Sequence, residues 1–153
     1  VRSSEKIFVE LYSSKTEYAL LALLELARHY PYGEPLQIRQ IAAQQQIPDR
    51  YLEQLLATLR RGGIVKSQRG AKGGYLLARE PWKITLFDAV SALEGDDLDR
   101  VDSATTQKLE NAVVAEIWQE IHRRAYELLK GYTLKDLCDR IDARKQLDVM
   151  YYI

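Results

Sequence analysis

Residues 47–78 read IPDRYLEQLLATLRRGGIVKSQRGAKGGYLLA, and the organisation of the chain can be worked outward from them. Pro48 suits the first turn of a helix, where no amide partner is lost. After it Leu52, Leu55, Leu56 and Leu59 recur at helical spacing and must face a core. The opposite side carries Arg50, Glu53, Ala57 and Arg60 or Arg61. Gly62 and Gly63 stop the helix, and the pattern changes. Residues 64–68 and 75–78 are short β-prone runs on either side of Arg69-Gly-Ala-Lys-Gly-Gly, which predicts a hairpin with a longer, basic tip.

Immediately upstream, residues 38–46 read as a short helix with Ile38, Ile41 and Ala42 on one side, ended by the restriction that Pro48 places on Ile47. Two helices across a tight break, the second apolar on one face and polar on the other, are the pattern of a helix-turn-helix. Further back, Ser14-Lys-Thr-Glu has the spacing of a capping box and predicts a helix start. Residues 18–27 are almost all apolar, with Glu25 as an interruption, so that helix is expected to be buried on most sides. Pro31, Gly33 and Pro35 end it. Downstream, Thr85 and Asp88 cap a helix with Leu86, Ala89, Val90 and Leu93 on one stripe.

The expected architecture is mainly α with a small β-hairpin. Residues 1–13 form an N-terminal extension, 14–95 a winged helix-turn-helix domain, and 96–153 a linker, a long dimerisation helix and a C-terminal segment. Asp96, Asp97, Asp99 and Asp102 mark the linker. A helix of about 25 residues is expected from near residue 105 to 130. Its Val114, Trp118, Ile121, Ala125 and Leu128 are spaced 4, 3, 4 and 3, and Leu109, Val113 and Ile117 widen the stripe. This is the spacing of a coiled-coil seam, and a second copy of the helix is its economical partner. A short helix over 133–141 and a terminal strand over 149–153 complete the expectation.

Composition excludes several classes for these 153 residues. One cysteine, Cys138, closes no internal disulfide and supplies no thiolate set for a structural zinc or an iron–sulfur cluster. A reducing, cytoplasmic setting fits, and no apolar run approaches the roughly 20 residues of a membrane span. No nucleophile elbow, P-loop or Rossmann glycine pattern occurs, so no catalytic residue is assigned and an enzyme ranks last. Net charge is zero, but residues 1–90 carry 13 basic side chains against 9 acidic ones, and residues 91–153 carry 9 against 13. Between residues 60 and 83 seven basic residues face one acid, Glu80, which is a local excess that a polyanion would find.

The chemistry that fits is recognition of double-stranded DNA. The major groove admits a helix with an apolar back and a hydrogen-bonding front. Arg50 suits a guanine edge or a phosphate, Glu53 a cytosine amino group, and Pro48, Gln54, Tyr51, Arg60 and Arg61 lie on or beside that front as further DNA-binding candidates. Arg69, Gly70, Lys72 and Gly73 form a tip that can press against the sugar-phosphate chain. Lys15, Thr16 and Tyr18 at the first helix's N-terminus, and Arg39 on the second helix, suit phosphates. Taken singly the arginines read as solvated surface and the glycines as turn formers; their order and density favour the DNA reading.

Residues 14–21 (SKTEYALL), 47–56, 65–77, Leu93-Glu-Gly and residues 132–137 (YTLKDL) resemble the Rrf2 family of winged-helix transcription regulators, over residues 12–153. The resemblance implies a homodimer, paired through its long helices and bound to a palindromic operator, most often as a repressor. By that analogy Arg50, Glu53 and Arg69 lead as readers of base edges or of the minor groove. Many members carry three cluster-binding cysteines after the Leu-Glu-Gly, whereas residues 94–110 here hold none. No cofactor and no metal are therefore expected, and the chain is more similar to the cluster-free branch that includes a cysteine-metabolism repressor. That branch implies control through a partner protein. An effector metabolite, redox chemistry at Cys138 and a winged-helix module that docks protein instead of DNA are the alternatives. Asp136 and Asp139 beside Cys138 are expected to raise its thiol pKa. His29 and His122 sit in no metal-ligand spacing and read as structural.

Overall fold

The computed structural model describes residues 13–95 and 108–151, in six helices and one hairpin. Helix α1 spans Ser14–His29. Its cap is Ser13, one residue earlier than the sequence spacing suggests; Ser13 Oγ accepts from the Thr16 amide at 3.4 Å. Of the expected N-terminal extension, only Ser13 lies among the described residues. The apolar run behaves as expected, with every residue from Ala22 to Ala27 buried. A 3-10 turn, Tyr30–Tyr32, and left-handed Gly33 then end the segment.

Helix α2, Ile38–Gln45, and helix α3, Asp49–Arg61, form the helix-turn-helix. Between them Gln46 adopts φ 55°. Its amide and that of Ile47 both donate to the Ala42 carbonyl. This closes α2 and turns the chain within two residues. Pro48 caps α3 from just outside its first turn. Leu52, Leu55, Leu56 and Leu59 are buried as their spacing requires.

Strands β1 (Val65–Gln68) and β2 (Gly74–Leu77) pair antiparallel, from Val65 with Leu77 to Gln68 with Gly74. Leu36 and Tyr75 exchange backbone hydrogen bonds of 2.9 and 2.8 Å, which adds a third short rung to the wing. Only glycine fits at 74. With φ 152°, an added Cβ would lie 2.3 Å from the Leu36 carbonyl oxygen.

Helix α4, Leu86–Glu94, opens with the expected reciprocal cap: Asp88 N–H donates to Thr85 Oγ1 and Thr85 N–H to Asp88 Oδ2, each at 3.0 Å. Helix α5 covers Leu109–Lys130, and the expected start near residue 105 and the aspartate linker fall outside the described residues.

The C-terminal segment departs from expectation. In place of a short helix and a strand, one helix, α6, runs over Leu134–Tyr151. No Gly or Pro interrupts residues 132–151, so helix propagation overrides the β-leaning character of Val149, Met150 and Tyr151; the rest of the expected strand, 152–153, lies outside the described residues. A second reciprocal cap, between Thr133 and Asp136, starts it. Thr85 and Thr133 form an antiparallel bridge, so the starts of α4 and α6 lie side by side. Leu134 is fully buried in the same cluster as Leu23, Leu52, Leu59 and Ile84. The start of α6 thus packs within the core that Leu23, Leu52, Leu59 and Ile84 form.

Candidate nucleic-acid interface

The face of α3 away from its leucines presents Arg50, Glu53, Gln54, Arg60 and Arg61, all exposed. Burial of the four leucines fixes which side faces solvent. Tyr51 turns sideways and is half-buried; its ring meets Tyr18 of α1 edge-on at 5.6 Å, interplanar angle 77°. Tyr18 thus braces α3 in addition to standing near the start of α1. Arg61 donates to Thr58 Oγ1 at 3.2 Å, and Thr58 in turn donates to the Gln54 carbonyl at 3.0 Å.

The wing is tied to this helix by Arg60, whose guanidinium donates to Ser67 Oγ of β1 at 3.3 Å. Ser67 was not among the expected site residues; an exposed serine in a strand gives no sequence signal for a contact seven positions away. Arg69, Gly70 and Lys72 are exposed at the tip. Gly73 is buried, because a Cβ there would lie 2.3 Å from the Gln68 carbonyl oxygen. It shapes the tip and does not itself face outward. Among the described residues Arg50, Arg69 and Lys72 form no ion pair, so their charge is uncompensated and accessible to a phosphate.

The remaining expected contacts are mixed. Pro48 and Arg39 are exposed beside the turn and on α2. Thr16 is 4% exposed, with its hydroxyl 3.4 Å from Ser13 Oγ, so its side chain faces inward. Lys15 is half-buried and donates through Nζ to the Leu93 carbonyl at the end of α4, at 3.2 Å. That interaction places a cation at a helix C-terminus.

The stripe of α5 is largely exposed among the described residues. No residue of the helix is buried, and Leu109, Val113, Val114, Ile117, Trp118, Ile121 and Leu128 are all exposed; Ala125 is half-buried. The C-terminal part of α5 is held against the body. Tyr126 meets Phe87 of α4 at 5.6 Å, and Lys130 lies 4.6 Å from the centre of the same ring. Burial, with Glu94 nearby, pushes the Tyr126 phenol up.

Cys138 sits half-buried where α6 meets α1. Its thiol is raised from the ordinary value, first by burial, with Asp142 and Asp139 adding to it and Arg28 and Lys135 opposing.

The profile of the Rrf2 family, described as iron-dependent transcriptional regulator, matches residues 12–140. The chain belongs to the Rrf2 family. It is 36% identical to the HTH-type transcriptional regulator CymR of Bacillus subtilis over 141 residues, 92% of this chain and 98% of that protein. Against IscR of Xenorhabdus nematophila it is 32% identical over 149 residues, 88% of each chain. The solved structure of T. potens IscR superposes with a TM-score of 0.69 at 36% identity, covering 84% of this chain and 86% of that one. The structure of CymR, the global cysteine regulator of B. subtilis, gives the same score and identity, covering 84% and 95%. The winged helix-turn-helix of this chain is therefore the Rrf2 fold, and its family is one of transcriptional regulators that bind DNA, not of enzymes.

Iron in this family raises the question of ligands. A cluster is held mainly by cysteine thiolates. The whole chain has one, Cys138, on α6 with its pKa raised. No group of three or more His, Cys, Asp or Glu side chains among the described residues could hold a metal ion. The donor set of this Rrf2 regulator does not fit a thiolate-bound cluster. No helix among the described residues is long and apolar enough to cross a membrane.

Proposed function

We propose that this Rrf2 regulator acts as a homodimer on a palindromic operator, as a repressor and without an iron–sulfur cluster. The observation that carries the dimer is α5, a 22-residue helix with an apolar stripe at heptad-like spacing and no buried residue among those described. A face of that size left to water is costly, and a second α5 has the matching shape and pattern. Pairing relates the two winged helices by a two-fold axis, so each protomer offers one α3 to a major groove, half-sites lying roughly 34 Å or a multiple apart. Arg50, Glu53 and Gln54 read base edges. Arg69 and Lys72 hold the sugar-phosphate chain, with Arg39 as an outer phosphate contact.

Support for the absence of a cluster is the single thiol. The signal then reaches the protein as a metabolite or as a partner protein. Sedimentation at micromolar concentration, with iron and sulfide analysis of anaerobically purified protein, tests both parts. The expected result is a dimer with neither element at stoichiometric level. A monomer, or stoichiometric iron with sulfide, overturns the corresponding part.

A further inference from the structure

Glu25 interrupts the apolar run of α1, yet it does not face solvent: it is 4% exposed. A carboxylate withdrawn from water is unfavourable unless its oxygens are met, and an apolar side chain would fill the same space at less cost. What meets Glu25 is therefore informative. Two partners lie one turn along the same helix. The Arg28 guanidinium is 3.6 Å from Oε1, and His29 Nδ1 is 3.9 Å from Oε2 while lying 3.0 Å from the Glu25 carbonyl. The third comes from elsewhere: Gln45 Nε2 donates to Oε1 at 2.6 Å.

Gln45 is the last residue of α2. It is followed by Gln46, the sole non-glycine residue with positive φ among those described, and then by Ile47 and the Pro48 cap of α3. Ile41 and Ala42 of α2 pack with the leucines of α1 and α3, and such packing sets the spacing of the helices and their crossing angle only to within about 15–20°. The Glu25–Gln45 hydrogen bond is directional, and it grips the residue from which the chain turns into α3.

We infer that Glu25 is a positioning residue for DNA recognition. Through Gln45 it fixes the angle at which α3 leaves α2, and with it the base edges that Arg50, Glu53 and Gln54 reach while the wing stays on the backbone. The inference rests on the reading that α3 enters the major groove.

Three variants test it: Glu25→Gln, Gln45→Glu, and the two together, which reverse donor and acceptor. Each is titrated against a duplex selected from a random pool by the unaltered protein, and against random-sequence duplex at low salt. Amide exchange is followed at Ile47 and Leu52, with α4 as the internal reference. Gln45→Glu, which opposes two carboxylates, is expected to weaken the selected duplex by about tenfold, the scale of one charge-assisted hydrogen bond. Binding to random duplex should change by less than about twofold, since phosphate contacts dominate it. Exchange at Ile47 and Leu52 should accelerate relative to α4, and the reversed pair should recover most of both losses.

Equal loss on the two duplexes, or a reversed pair no better than Gln45→Glu alone, overturns the inference. If the unaltered protein selects no sequence, the groove reading fails, and exchange alone then decides the positioning role: rates at Ile47 and Leu52 unaltered by Gln45→Glu overturn it.

Discussion

Leu134 donates its backbone N–H to the carbonyl of Ile84 at 2.9 Å, and both side chains are fully buried. The reciprocal bond, from Leu86 N–H to the Tyr132 carbonyl, is also 2.9 Å. The end of the long helix and the start of α6 are thereby fastened to the winged-helix core. Leu134→Ala should destabilise the fold by about 2–5 kcal/mol, the usual cost of a leucine-sized core deletion. Urea denaturation followed by tryptophan fluorescence checks this. A single transition shifted to lower urea is expected. A transition unmoved from that of the native protein would detach α6 from the core.

Gly74→Ala should open the wing. Its Cβ would meet the Leu36 carbonyl oxygen at 2.3 Å, so the bridge between Leu36 and Tyr75 has to give way. The strain is on the order of 1–3 kcal/mol, and it is local. Faster amide exchange at Leu36 and Tyr75, with exchange in α3 unchanged, is the expected signature; affinity for DNA should fall with it.

Arg50 and Arg69 should fail in different ways. Removing a residue that reads a base costs about 1–3 kcal/mol and relaxes preference at one position, whereas removing a phosphate contact weakens all sequences alike and lowers the salt slope by about 1. Arg50→Ala is expected to follow the first pattern and Arg69→Ala the second. Titrations across a salt series, on selected and mismatched duplexes, separate them. Identical behaviour of the two variants would contradict the assignment of helix to bases and wing to backbone.

The cap of α6 should impart an acid-side dependence. Hydrogen bonds from the Thr133 backbone and side chain hold the Asp136 carboxyl below the ordinary carboxylate range, with Lys135 and Arg140 adding to this. A carboxyl whose folded pKa is depressed stabilises the fold above its unfolded pKa. That contribution is lost as pH falls through the lower, folded pKa. Asp136→Asn should therefore reduce stability near neutral pH and flatten the decline on the acid side, from about pH 4 downward. Denaturation midpoints across that range check it; parallel curves for the two proteins would contradict it.

Much of this was legible in the residue order because it is local. Leucine spacing marks α3, the glycine density marks the wing, and Thr85 with Asp88 marks the cap of α4. What escaped depends on contacts far apart in the chain. Leu134 sits in a segment that reads as peripheral, and nothing near it announces Ile84 fifty positions earlier. Glu25 is visible as a lone acid in an apolar helix, three and four residues before Arg28 and His29, but its bond to Gln45 depends on how α2 crosses α1. The end of α6 departs from expectation for a different reason: a β-branched and aromatic run leans toward strand, but an uninterrupted helix is already under way before it. On the interface, Arg50, Arg69 and Lys72 are exposed, while Thr16 and Gly73 are drawn inward by a cap and a tight turn.

The central claim is that two copies of this chain present paired α3 helices and wings to one duplex. Selection of bound sequences from a pool of random duplexes by the purified protein, at physiological salt, tests it most directly. The account predicts an enriched inverted repeat whose half-sites lie about one helical turn apart, or a multiple of it. Enrichment of a single unpaired site, or of no sequence at all, would contradict it.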